Sequence, residues 1–114
     1  MPLTIEIKHL EPDIALLEMS GRITLGNDCR HVEWTAEKLV SERRTKVVFD
    51  LTNISFVDST GIGIIVMVAG KMKEAGGKLR LAGANKHVEQ TLKMTSVDRL
   101  VPLHPTAVAA IAAF

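Results

Sequence analysis

The sequence predicts an α/β fold: a single domain with a mixed sheet of four to five strands, an N-terminal antiparallel hairpin and about four helices. Strand-like and helix-like patterns alternate along the chain in the order β-β-α-β-α-β-α-β-α, which is typical of a largely parallel sheet covered by helices. The 114 residues, 46% of them apolar and 24% charged, are enough for one hydrophobic core. We find no repeat, linker or low-complexity stretch, so residues 1–114 are assigned to one domain.

Two strand patterns open the chain and predict the hairpin. Apolar and polar residues alternate over Leu3–Ile7, which is the period of a half-buried strand. The turn residues Glu11-Pro12-Asp13 follow, and Ile14–Met19 is a second apolar run. Gly21 is expected to end this second strand.

A helix and a central strand are predicted next. Asn27 or Asp28 can cap a helix that runs to about Arg44. Nearly every residue of Lys46–Leu51 is apolar, which favours a strand in the middle of the sheet. The apolar stripe of the helix consists of Cys29, Val32, Ala36, Leu39 and Val40.

The second half of the chain continues the alternation. A helix is predicted from Ser59 or Thr60 to about Ala75, where Gly76-Gly77 ends it. The remaining predicted elements are a strand over Lys78–Ala82, a helix capped by Asn85, a short edge strand over Leu100–Leu103 and a terminal helix that begins near Pro105.

The segment Asp58-Ser59-Thr60-Gly61-Ile62-Gly63 stands where a strand pattern ends and a helix pattern begins. Functional sites of parallel sheets lie beyond the carboxyl ends of their strands. Asp58 and Ser59 are both common helix N-cap residues, and a hydroxyl at the positive end of a helix can accept an added phosphate. From these residues alone, Ser59 is either a modification site or only a helix cap.

Composition and motifs exclude several function classes. A net charge of +1 without a basic stripe argues against nucleic-acid binding, and no apolar run reaches the roughly 18 residues of a membrane span. The one cysteine, Cys29, and the absence of a signal pattern indicate the cytoplasm. Gly-x-Ser-x-Gly and phosphate-loop motifs are absent, so we expect neither an enzyme nor a cofactor. Cys29 and His31 are too few ligands for a metal site.

Four stretches of the sequence resemble the anti-sigma factor antagonists of the STAS domain family, and the resemblance covers essentially the whole chain. The most specific stretch is Phe56–Gly63, with its Asp-Ser-Thr-Gly-Ile-Gly core between strand and helix. The other three are Met19–Ile23, Lys73–Leu79 and Leu92–Thr95.

The resemblance implies a partner switch that phosphorylation controls. In this family the unmodified antagonist binds an anti-sigma factor that is also a serine kinase, which frees a sigma factor. The kinase phosphorylates the serine after the aspartate of the motif, here Ser59, and the antagonist is released; a metal-dependent serine phosphatase removes the phosphate. Asp58, Thr60, Gly61 and Gly63 would support the phosphorylation site.

One loop departs from the family pattern. Well-known members have Gly-acidic-apolar-Asp after the second strand, whereas this chain has Gly21-Arg22-Ile23-Thr24. Arg22 could pair with Asp58 or with a phosphate on Ser59. Arg22 and Thr24 are candidate partner-binding residues, and the departure keeps open a second function, a constitutive STAS adaptor in a transport or stress-signalling assembly.

Several surface assignments stay open in the sequence. Gly61 and Gly63 either pack closely against a neighbouring element or form a flat contact surface. Ile62, the third candidate partner-binding residue, lies with Ile65 and Met67 either under the first helix or in an exposed patch. Trp34 is assigned to the sheet edge in preference to an interface. A homodimer through a strand edge or through the Ala-rich last helix is neither predicted nor excluded.

Overall fold

The computed structural model describes residues 2–114, which form one five-stranded sheet and four α-helices. The strands are β1 (Thr4–Leu10), β2 (Ile14–Ile23), β3 (Lys46–Val57), β4 (Lys78–Ala82) and β5 (Leu103–His104). The helices are α1 (Asn27–Ser41), α2 (Ser59–Glu74), α3 (Lys86–Met94) and α4 (Ala107–Ala112), with a short 3-10 helix at Val97–Arg99. The predicted fold class and element order are confirmed.

The strands lie side by side in chain order, from β1 at one edge to β5 at the other. β1 and β2 form the predicted antiparallel hairpin, and every later neighbour is parallel. Because successive strand residues point to opposite faces, the sheet has two apolar sides. Helices α1, α2 and α3 cover the side that contains Leu17 and Phe49, whereas α4 packs on the side that contains Leu16 and Val48.

The middle strands are longer than predicted. β2 continues through Gly21 to Ile23, and β3 continues beyond Leu51 to Val57. Thr52, Asn53 and Ser55 make the end of β3 polar, which conceals a strand from a pattern analysis based on apolar runs. The prediction that Gly21 ends β2 is wrong: this glycine lies at an irregular point of the ladder, with φ +107°, and is paired with Ile54.

Two helix boundaries also differ from the prediction. The cap residue of α1 is Gly26, not Asn27 or Asp28, and no side chain caps this helix. α1 ends at Ser41 rather than near Arg44, because the chain turns through a residue with positive φ at Arg43. The predicted caps of the later helices agree better, since the Asn85 side chain accepts a hydrogen bond from the Val88 backbone N–H at 2.8 Å.

The last strand is shifted along the chain. Residues Leu100 and Val101 donate backbone hydrogen bonds to the carbonyl of Val97 and so close the 3-10 helix instead of extending. β5 begins only at Leu103 and contains two residues. Its position at the sheet edge agrees with the prediction.

Candidate functional site

The motif residues lie where β2 and β3 end and α2 begins. Ile23 pairs with Val57 in the parallel ladder, and the Asp58 backbone N–H donates to the Ile23 carbonyl at 3.2 Å. The β2–α1 loop and the turn into α2 are therefore adjacent at the carboxyl edge of the sheet, where the positive end of α2 is presented.

Asp58 caps α2 and also holds the neighbouring loop. One carboxylate oxygen accepts a hydrogen bond from the Gly61 backbone N–H at 2.7 Å, and the other accepts from the Leu25 backbone N–H at 2.9 Å. The interpretation of Ser59 as the helix cap is thus wrong, because the cap is the residue before it. A single side chain fixes the start of the helix and the loop beside it.

Ser59 is the first residue of α2, and its side chain is exposed. Its hydroxyl therefore lies on the surface at the helix end where unpaired backbone N–H groups favour negative charge. Thr60, the neighbouring hydroxyl, is half-buried. Of the two, Ser59 is more accessible to a modifying protein.

The two glycines of the first turns of α2 have different surroundings. Gly61 is buried, and a Cβ there would collide with the Ile23 carbonyl and lie 2.8 Å from Cγ1 of Val57. Gly63 is exposed, and a Cβ there would meet nothing within 4 Å. Close packing therefore explains Gly61, whereas Gly63 leaves a flat place on the helix surface.

A stripe of exposed residues runs along α2 from Ser59. Gly63, Met67 and Gly70 follow it at intervals of four and three residues, which places all four on one helix face. We call this surface the Ser59 stripe. Its small residues and one flexible methionine leave room for the approach of another protein.

Ile62 is not part of that surface. It is 8% exposed and belongs to the main core, and Ile65 is fully buried. The expectation that Ile62 contacts a partner is therefore wrong, because this side chain packs inward. Met67, the third residue of that group, is 36% exposed and lies in the Ser59 stripe.

The end of β2 and the loop that follows it carry the residues that depart from the family pattern. The Arg22 guanidinium lies 5.9 Å from the centroid of the Phe56 ring, so Arg22 covers an aromatic ring rather than pairing with Asp58. The Thr24 hydroxyl donates to the Asp28 carboxylate at 2.8 Å. Burial acts to raise the pKa of Asp28, but hydrogen bonds from Thr24 and the Leu3 backbone outweigh it and lower that pKa below its usual value.

Sequence analysis missed two exposed apolar side chains near Ser59. Leu25 is 75% exposed on the loop that Asp58 holds, and Phe56 is 39% exposed and stacks on His87. The signal for Leu25 was an apolar residue in a turn between Thr24 and Gly26. Trp34, assigned to the sheet edge, is instead 63% exposed on α1, with the Lys38 ammonium 5.9 Å from its ring.

Residues 2–114 contain no group of three or more His, Cys, Asp or Glu side chains with the spacing of a metal site. None of its helices has the length and apolar character needed to cross a bilayer. A cavity of about 410 Å³ lies between α3 and β5, away from the motif, and is lined in part by Glu89, Lys93 and His104.

Comparison with known proteins shows the family. The family model "STAS domain" matches residues 5–110, and the chain therefore belongs to the STAS domain family. The anti-sigma F factor antagonist of Paenibacillus polymyxa is 24% identical over 112 residues, which are 97% of this chain and 94% of that protein.

Solved structures share the fold at lower identity. An anti-sigma factor antagonist from Mycobacterium paratuberculosis superposes with a TM-score of 0.83 at 20% identity, over 97% of this chain and 92% of the other. A sulfate transporter family protein from Wolinella succinogenes has a TM-score of 0.80 at 14% identity, over 93% and 88% of the two chains. The same fold thus occurs in regulators and in a transporter family.

Proposed function

We propose that this protein is an anti-sigma factor antagonist whose partner exchange is controlled by phosphorylation of Ser59. In its unmodified form it binds an anti-sigma factor that is also a serine kinase, and so frees a sigma factor; phosphorylation releases it. The observation that carries the proposal is an exposed Ser59 at the positive end of α2, with the capping role taken by Asp58. The names of the relatives support the same general role.

The surroundings of Ser59 favour a phosphate that changes a surface without unfolding the domain. A phosphoserine adds about −1.5 to −2 charges at neutral pH. The free N–H groups of the first turn of α2 stabilise such a charge, which offsets the repulsion from Asp58. A partner on the Ser59 stripe then meets a hydrated dianion, and losing about 3 kcal/mol of binding free energy weakens affinity more than a hundredfold.

The proposed partner surface consists of the Ser59 stripe and the β2–α1 loop. Leu25 supplies an exposed apolar side chain on a loop that Asp58 keeps in place. Thr24 lies on the same loop and Arg22 lies at the end of β2 just before it, so the departure from the family pattern alters the charge of this surface. Specificity for one kinase over another is expected to depend on that charge.

The proposal implies partners and a compartment. The kinase partner is the anti-sigma factor itself, and a separate serine phosphatase regenerates the binding form. The protein acts without catalysis, cofactor or direct contact with nucleic acid, and works in the cytoplasm where the transcription machinery is found.

Affinity capture with substituted baits tests the proposal. We expect wild type and Ser59→Ala to retain a small ATP-binding kinase from a lysate of the native host, and Ser59→Asp to lose it. Thr60→Asp is the matched control, because it adds the same charge one residue further on. If Ser59→Ala still gains phosphate at the wild-type level, the modified residue is not Ser59.

A constitutive adaptor is the second candidate, which the transporter-family relatives with this fold favour. An adaptor would hold the same transporter or scaffold components with wild type, Ser59→Ala and Ser59→Asp alike, since its contacts would not depend on Ser59. That outcome would replace the partner switch.

A further inference from the structure

The two edges of the sheet differ in how they are protected. β5 contains two residues and lies between Pro102 and Pro105, so it offers little backbone for another strand. β1 contains seven residues, has no proline, and pairs with β2 in regular register over its whole length. In the part of the chain from residue 2 onward, no further strand pairs with its outer side, since β1 is the last strand in the sheet order.

The charged side chains of β1 lie on either side of Ile7 and are opposite in sign. Glu6 and Lys8 flank Ile7 and point to the face of the sheet opposite to the one that Ile7 faces. If a second β1 lies antiparallel to the first with Ile7 opposite Ile7, then Glu6 of each copy lies opposite Lys8 of the other. Opposite charges in facing positions stabilise a strand pair, whereas like charges destabilise it.

Contacts within the monomer also favour pairing with a second copy of β1. Glu6 faces Glu18 across the hairpin, so two like charges are neighbours, and Lys8 pairs with Glu18 at 2.8 Å. A second copy would place another lysine beside Glu6. On the helix-covered face, Ile5 and Ile7 are only half-buried at the margin of the core, and a neighbouring strand would cover them.

We propose that β1 is a self-association edge, where two copies of this chain join their sheets antiparallel about Ile7. The junction adds about six backbone hydrogen bonds, the two Glu6–Lys8 pairs and the covered isoleucines. It leaves Ser59 exposed, because the phosphorylation site is on α2 and not on β1. The resulting dimer would present two Ser59 stripes.

Charge exchange on β1 tests this register. Sedimentation velocity from micromolar to near-millimolar concentration should show a concentration-dependent dimer for the wild type. Glu6→Lys alone and Lys8→Glu alone should each raise the dissociation constant at least about tenfold, because both symmetric pairs become repulsive. An equimolar mixture of these two variants should recover the dimer as a heterodimer. In it, the two lysines of one variant face the two glutamates of the other at positions 6 and 8.

Controls separate association from folding. Glu74→Lys makes the same charge change as Glu6→Lys at the far end of α2 and should leave the dimer unchanged. Lys8→Glu removes the ion pair with Glu18, but these side chains are 50% and 38% exposed, so thermal unfolding should change little. A wild type that stays monomeric throughout overturns the proposal. So does a mixture that fails to recover the dimer, or single variants that associate like the wild type.

Discussion

Single residues determine how Ser59 is presented. Asp58 uses one carboxylate oxygen on α2 and the other on the β2–α1 loop, so the serine that follows it is free of the capping role. Gly61 allows the helix to approach the Ile23 carbonyl, and this approach places Ser59 at the end of the sheet. The exposure of the hydroxyl thus results from two neighbours with fixed structural roles.

The contrast between Gly61 and Gly63 gives a direct prediction. Gly61→Ala should lower the free energy of unfolding by about 2 kcal/mol, because the methyl group would collide with Ile23 and Val57. Gly63→Ala should raise it by about 0.5–1 kcal/mol, because alanine suits a helix better and meets no atom. Urea unfolding measures both, and equal effects would contradict the assigned packing.

Gly63→Ala also tests the Ser59 stripe. A stabilised variant that binds the captured partner more weakly than the wild type would place Gly63 in the interface, since the fold is then not the cause of the loss. Undiminished binding would remove Gly63 from the proposed surface.

At the scale of elements, the sequence was most informative where apolar periodicity and local chemistry agreed. The hairpin and the helix capped by Asn85 followed from such patterns. The polar end of β3 did not, because Thr52 and Asn53 lie in a strand stabilised by its neighbour β2 rather than by burial. The cap of α2 was ambiguous between two adjacent good capping residues, and only the backbone conformation at Asp58 decides it.

The attachment of α4 to the sheet through Arg80 can be tested directly. Arg80 on β4 donates to the Ala113 carbonyl at 3.0 Å, lies 4.8 Å from the Phe114 ring centroid, and reaches Nε2 of His104 at 3.2 Å. Arg80→Ala should therefore speed hydrogen exchange of the α4 amides about tenfold, while α2 amides stay unchanged. Lys78→Ala on the same strand is the matched control, and a similar change there would contradict the role of Arg80.

The same attachment should weaken in acid. Burial first, and then the charge of Arg80, lower the pKa of His104 below the ordinary histidine value of about 6.5. The neutral imidazole is favoured in the folded state, so its contribution is present above that value and is lost as the pH falls through the lowered pKa. Glu89, Lys93 and Asp98 line the adjoining cavity and complete the charged surroundings of His104. His104→Gln should flatten the pH dependence of hydrogen exchange at the α4 amides. If this dependence is unchanged, a titrating group other than His104 causes it.

At the scale of the whole molecule, the Ser59 stripe, the α4 attachment and the β1 edge lie on different parts of one domain. The Ser59 stripe is on α2, on the helix-rich side, the α4 attachment is on the opposite side, and β1 forms a free edge. From the sequence, only the family resemblance pointed to the surface proposed to bind the partner, because exposure depends on how α1 and α2 pack together. Ile62 and Met67 illustrate this, since both are apolar residues of α2 but only Met67 reaches the surface.

For the proposed phosphorylation of Ser59, this arrangement predicts a signal that changes the surface and not the fold. Ser59→Asp should change the free energy of unfolding by less than about 1 kcal/mol, because attraction to the positive end of α2 offsets repulsion from Asp58. Amide exchange in α2 should match the wild type while partner binding falls more than about a hundredfold. Ser59→Asn is the uncharged control and should retain most of the binding. If Ser59→Asp instead unprotects the first turns of α2, release would occur through melting of the helix, and the surface mechanism would be wrong.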